Sequence, residues 1–130
     1  MYKLIIFLLT IIQLTLNVKI SPAPASVEYF MQVTTRGQHT VPVRQRPNRN
    51  SIIIHRLSNQ QGVAICSQCD REISFRDSGG NIWWEIWYFD NSGNESRGYA
   101  EDKYLLLIDG AYCDGYPRGT RTLGECMGMK

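Results

Sequence analysis

Between residues 27 and 108, apolar and polar positions recur in short runs with a spacing of two. No stretch keeps a helical period for longer than about a turn. The pattern predicts an all-β fold, with strands at Val27 to Val33, Thr40 to Val43, Ile52 to Leu57, Gly62 to Cys66, Glu72 to Phe75, Ile82 to Phe89 and Arg97 to Ala100. The breaks between them are rich in turn formers: Arg46-Pro47-Asn48-Arg49-Asn50, Asn59-Gln60-Gln61-Gly62, Asp77-Ser78-Gly79-Gly80-Asn81 and Asp90-Asn91-Ser92-Gly93-Asn94. Strands this short, joined by turns this tight, fit a small barrel of five to seven strands better than a large sandwich.

Within Ile82 to Tyr88 the alternation puts Trp84, Ile86 and Tyr88 on one face and Trp83, Glu85 and Trp87 on the other. Glu85 marks the second face as the wetter one. Trp84 and Ile86 are therefore expected in the core. Trp83 and Trp87 are expected on a partly exposed surface, where an aromatic is either covered by the C-terminal tail or used to bind.

The chain's two ends read differently from its middle. Lys3 precedes an apolar run, Leu4 to Ile12, broken only by Thr10, and small residues follow at Ala23-Pro24-Ala25. This is the pattern of a secretory signal cleaved after Ala25. A membrane anchor fits less well, because Gln13, Thr15 and Asn17 interrupt the apolar run short of the ~20 residues that span a bilayer. The expected product is extracellular and free of the membrane. At the other end, residues 109 to 130 are glycine-rich and carry too few large apolar side chains to form a core of their own. The expected layout is thus a signal at 1–25, an N-terminal strand or extension at 26–37, a barrel at 38–108 and a tail at 109–130.

Removal of the signal takes Lys3 and Lys19, so basic residues fall from 14 to 12 against 12 acids. A formally neutral chain has no general pull on nucleic acid or anionic lipid. Locally, Arg36, Arg44, Arg46, Arg49 and Arg56 occur without an acid among them, and Glu101, Asp102, Asp109 and Asp114 follow later. The two sets either face each other or are solvated; the sharper alternative is an anion-binding rim.

Four cysteines, Cys66, Cys69, Cys113 and Cys126, behind a secretory signal predict two disulfides, and the sequence alone permits all three pairings. The wide spacing of Cys113 and Cys126, with no histidine near, disfavours zinc. Cys66-Ser67-Gln68-Cys69 has the spacing of a thiol redox motif, but it follows a strand-like segment, and Asp70 and Glu72 would raise a thiol pKa. No cofactor or metal is expected. Nor is an enzyme: His39 and His55 are the only histidines, and all four cysteines are expected to be paired. His55 reads as a strand-surface residue. Glu101 and Asp102, being adjacent, point to opposite sides of an extended chain and read as a solvated turn rather than a glycosidase pair. Asn94-Glu95-Ser96 is a glycosylation sequon, relevant only in a eukaryotic host.

Three segments, in order and at suitable distances, resemble the bacterial-type SH3 domain. Val41-x-Val43-Arg44-x-x-Pro47 is similar to its opening, Trp83 stands where that family carries its marked tryptophan, and Gly98-Tyr99-Ala100-Glu101-Asp102-Lys103-Tyr104-Leu105 is similar to its closing segment. The likeness covers roughly residues 38 to 108, and it is nearest to a secreted, cysteine-containing branch. It departs at Gln45 and Arg46, which replace a small Ser-Gly turn, at the extra Cys69, and in the longer hairpin from Asp90 to Ser96.

The resemblance implies an SH3-like barrel acting as a monomeric, non-catalytic binding module for an extended peptide such as cell-wall peptide. The implied groove is lined by Trp83 and Tyr104, with Tyr99 beside them and Arg44, Arg46 and Asn48 supplying polar contacts. The resemblance further implies that Cys66 pairs with Cys113 or Cys126, leaving Cys69 for the other tail cysteine. A secreted effector, toxin or inhibitor acting on a host or competitor protein is the alternative function.

Overall fold

In the computed structural model the described residues are 28–66, 71–108, 113 and 115–129. The signal segment, Val27, Cys69, the Cys66 side chain, Asp109 and Asp114 lie outside what is described. The expected strands are present with small shifts: β1 (Glu28–Val33), β2 (Val41–Arg44), β3 (Ile53–Leu57), β4 (Gly62–Cys66), β5 (Ser74–Arg76), β6 (Ile82–Phe89) and β7 (Glu95–Glu101). One turn of 3-10 helix, Asp102–Tyr104, leads into an additional strand, β8 (Leu105–Leu107), and the tail carries a four-residue helix, α1 (Leu123–Cys126). The sheet therefore has eight antiparallel strands, in the order β3-β2-β7-β6-β4-β1-β8, with β5 paired to β6 beside that path.

Alternation decides what each strand buries. Tyr29, Met31 and Val33 of β1, Val41 and Val43 of β2, Val63 and Ile65 of β4, and Trp84, Ile86 and Tyr88 of β6 meet in one apolar core, joined by Leu57, Ala100, Tyr104, Leu105, Leu107 and Leu123. β1 lies inside the sheet, between β4 and β8, with pairs such as Phe30 to Ala64 and Gln32 to Leu106. Gly98 is fixed by close approach rather than by an unusual φ. A Cβ there would collide with the Val43 side chain and meet Ile54 Cδ1 at 3.0 Å, so only glycine lets β2 cross β7 at this point.

The tail docks in a way the sequence does not announce. Cys113 is bonded to Cys126, so the disulfide closes a loop within the tail, and the pairing of Cys66 with either tail cysteine is corrected. The tail is held to the sheet by backbone and by a buried carboxylate. Leu107 N–H donates to the Arg121 carbonyl at 2.8 Å and Gly119 N–H to the Leu107 carbonyl at 2.8 Å. Asp102 Oδ1 accepts from Trp84 Nε1 at 2.8 Å and from Gly124 N–H at 2.8 Å, and its Oδ2 accepts from Thr122 Oγ1 at 2.7 Å.

The expectation of a solvated turn at Glu101 and Asp102 is thereby overturned, since both residues are buried. A buried carboxylate needs donors on its oxygens, and the indole, a hydroxyl and a helix-end amide provide them. Thr122 also caps α1, its hydroxyl accepting from Glu125 N–H while Glu125 reaches back to Thr122 N–H. Gly124 must be small, because a Cβ would lie 2.8 Å from Asp102 Oδ2.

Candidate functional site

The outer face of β6 changes character along its length. At its start Trp83 pairs across the sheet with Phe75 of β5 and Glu101 of β7. Its Nε1 donates to Asp77 Oδ2 at 2.9 Å, and Arg49 Nη2 donates to Glu101 Oε1 at 2.8 Å. The indole is only 1% exposed. Sequence alternation correctly turns Trp83 outward, away from the Trp84 face. The expectation of partial exposure fails, because β5 and the Arg49–Glu101 pair close over that end of the strand.

Asp77 is the keystone of this end. Burial pushes its carboxyl up, but the hydrogen bonds from Trp83 and from the Asn81 side chain and backbone, together with Gly79 N–H, outweigh that and hold it at about 2. Arg49 is raised above its ordinary value by the hydrogen bond to Glu101 and by that carboxylate's charge. Arg49 is thus where the basic and acidic stretches do meet.

The other residues expected in a groove are distributed as follows. Tyr104 is 6% exposed; its hydroxyl accepts from Gln38 Nε2 at 3.4 Å, and Lys103 Nζ lies 4.9 Å from its ring centroid. Tyr99 is half-buried, edge-on to Phe75 at 5.3 Å between centroids, and directly opposite Arg44 across the β2–β7 ladder. Arg44 Nη1 donates to the Ser51 carbonyl, Arg46 is exposed, and Asn48 Oδ1 accepts from Asn50 N–H. Arg44, Tyr99 and Trp83 thus share the outer face, but the two aromatics expected to form the groove, Trp83 and Tyr104, are packed away from solvent. His55 is half-buried and stacked on Tyr88 at 4.7 Å.

A groove does open at the far end of the same strand. Cross-strand pairing sets Phe30, Ala64 and Trp87 in one row across β1, β4 and β6, and Arg97 of β7 completes it. The neighbouring positions of the same parity are Gly62 on β4 and Phe89 on β6. Two small residues between large aromatics leave a trough of about 440 Å³, lined chiefly by Phe30, Gly62, Ala64, Trp87 and Phe89, with Ile108 and Glu95 at its edges. The trough opens where the β4–β6 ladder is reduced to the single pair Ala64 to Trp87. Phe30 is 50% and Phe89 65% exposed, and Trp87 is half-buried beneath the Arg97 guanidinium, 4.4 Å from its ring centroid.

Apart from Trp87, the aromatics of this groove went unrecognised in the sequence. The signal was there in two residues: Phe30, two positions before the polar Gln32 on the same face of β1, and Phe89, immediately before a turn. No family model, curated protein or solved structure matches this chain. Its described residues form a small all-β fold with a disulfide in the C-terminal region and an apolar groove on the outer face of the sheet.

Proposed function

We propose that the protein is a secreted, non-catalytic binding module of the SH3-like kind, which holds an extended peptide in the groove between Phe30, Trp87 and Phe89. The observation that carries this reading is the groove itself: large aromatics kept at the surface beside a floor of glycine and alanine. Exposed aromatic surface is costly to maintain and marks a site of contact, and an aromatic trough accepts an extended chain at low entropic cost. The strand order, with a 3-10 turn between β7 and β8, supports an SH3-like barrel, and the disulfide is compatible with an extracellular location. Cell-wall peptide is the ligand class that the resemblance favours.

The test is retention of the purified protein on purified peptidoglycan, with Ala64→Leu as the comparison. That substitution fills the floor of the groove without touching the core. The expected result is retention of the parent protein and its loss in the variant, with thermal unfolding unchanged. Retention that survives Ala64→Leu removes the groove from the account, and no retention by either protein favours an effector or inhibitor with a protein target.

A further inference from the structure

We infer that the groove selects a peptide in which a large apolar side chain is followed by a cationic one, with Glu95 receiving the cation. The inference rests on the peptide-groove reading and adds the chemistry of the occupant. The trough is apolar along its floor and walls, and its volume of about 440 Å³ is that of a small-ligand site, enough for a bulky side chain with its flanking backbone.

Two charged residues of β7 stand on the groove's side of the sheet. Arg97 pairs with Trp87 and Glu95 with Phe89. Their charges are differently disposed. Arg97 is engaged on the Trp87 ring, where the π face already receives its guanidinium. Glu95 is exposed and forms no ion pair among the described residues, although it lies against the most exposed aromatic of the groove. Arg97 has no carboxylate partner among the described residues either, but its guanidinium lies on the Trp87 ring and does not line the trough, whereas Glu95 does, so the charge that an occupant of the trough meets is negative. An occupant that places an apolar side chain between Phe30 and Trp87 meets that carboxylate with its next polar group. Lysine or arginine gains there; aspartate or glutamate is repelled.

The test is a pair of NMR titrations of the purified protein with N-acetyl-Phe-Lys-amide and N-acetyl-Phe-Glu-amide, repeated with Glu95→Lys. Glu95 is at the surface, so the variant keeps its fold. Both peptides are expected to shift the resonances of Phe30, Ala64 and the Trp87 indole, with the lysine peptide bound about two- to fivefold more tightly at low salt, the range of an exposed ion pair. The preference should shrink as salt is added and invert in Glu95→Lys.

Equal affinity for the two peptides at these resonances overturns the cation preference while leaving the peptide groove standing. No response of the groove to either peptide overturns both. A response of Trp87 and Phe89 to zwitterionic phosphatidylcholine vesicles but to neither peptide assigns the groove to a lipid surface and also overturns the inference.

Discussion

Trp83 and Trp87 stand four residues apart on one strand and face the same way, yet they live in opposite surroundings. Trp83 is enclosed, its ring flanked by Phe75 and Glu101 and its indole N–H bound to Asp77. Trp87 keeps part of its ring in solvent, with a guanidinium on one face and a trough of small residues beside it. Strand alternation assigns a face, but the neighbours in the sheet decide whether that face is closed. β5 extends the sheet beside Trp83, whereas Gly62 and Ala64 leave the surface beside Trp87 hollow. The same residue type is structural at one end of β6 and available for contact at the other.

The largest effect should come from removing the enclosed partner. Trp83→Ala empties a buried indole site and removes one of the donors to the Asp77 carboxylate, and a loss of about 3–5 kcal/mol is expected from the usual cost of deleting a buried tryptophan. Urea unfolding measures it. A loss below about 1 kcal/mol, the level of an ordinary surface substitution, would mean that Trp83 is not enclosed and that the contrast fails.

Slightly smaller, and on the other side of β6, is the effect of Asp102→Ala. Three donors, Trp84 Nε1, Thr122 Oγ1 and Gly124 N–H, lose their acceptor. A loss of roughly 2–4 kcal/mol is expected, since each buried donor left unsatisfied costs about 1–3 kcal/mol and some will find water. Amide exchange in residues 119 to 129 should rise with it. Unchanged exchange there would show that the backbone hydrogen bonds between Leu107 and the tail, and not Asp102, hold the tail in place.

Next comes a pH effect confined to the closed end. The Asp77 carboxyl titrates at about 2 in the fold against an ordinary 3.8. A depressed carboxylate contributes stability that is complete above its unfolded value and is lost as pH falls through the folded one. Acid should therefore weaken the parent protein between about pH 4 and pH 2 by more than it weakens Asp77→Asn, in which that group no longer titrates. Parallel acid profiles for the two proteins would contradict the role given to Asp77.

Much of the fold is legible in the sequence. The turn residues set β6 and its two hairpins, and Asp77 and Asp90 each accept from the backbone two and four positions on, as such turns require. Gly62 to Cys66 and Ile82 to Phe89 form strands at the predicted limits. What escapes is whatever depends on distant partners. Leu105-Leu106-Leu107 has no alternation to mark it as a strand; it becomes one because β1 lies alongside. Arg44 to Ile52 departs from a simple hairpin through a bulge between Val43 and Arg44. The site was half legible: Trp87 could be placed on the outer face, but the hollow beside it is made by Gly62, Ala64 and Phe30 from other strands, and no local pattern reports such a gap. Cysteine spacing leaves all three pairings open, and the pairing of Cys66 with a tail cysteine that the resemblance implies fails, since Cys113 is bonded to Cys126.

The most direct test of the contrast is a peptide-binding titration of Trp87→Ala, with unfolding of the same variant measured alongside. Trp87 is a groove wall rather than core, so the account predicts a stability loss of about 1 kcal/mol or less, as for surface substitutions, together with loss of binding to N-acetyl-Phe-Lys-amide. Binding that persists undiminished in a well-folded Trp87→Ala protein would contradict the assignment of the open end of β6 as the site.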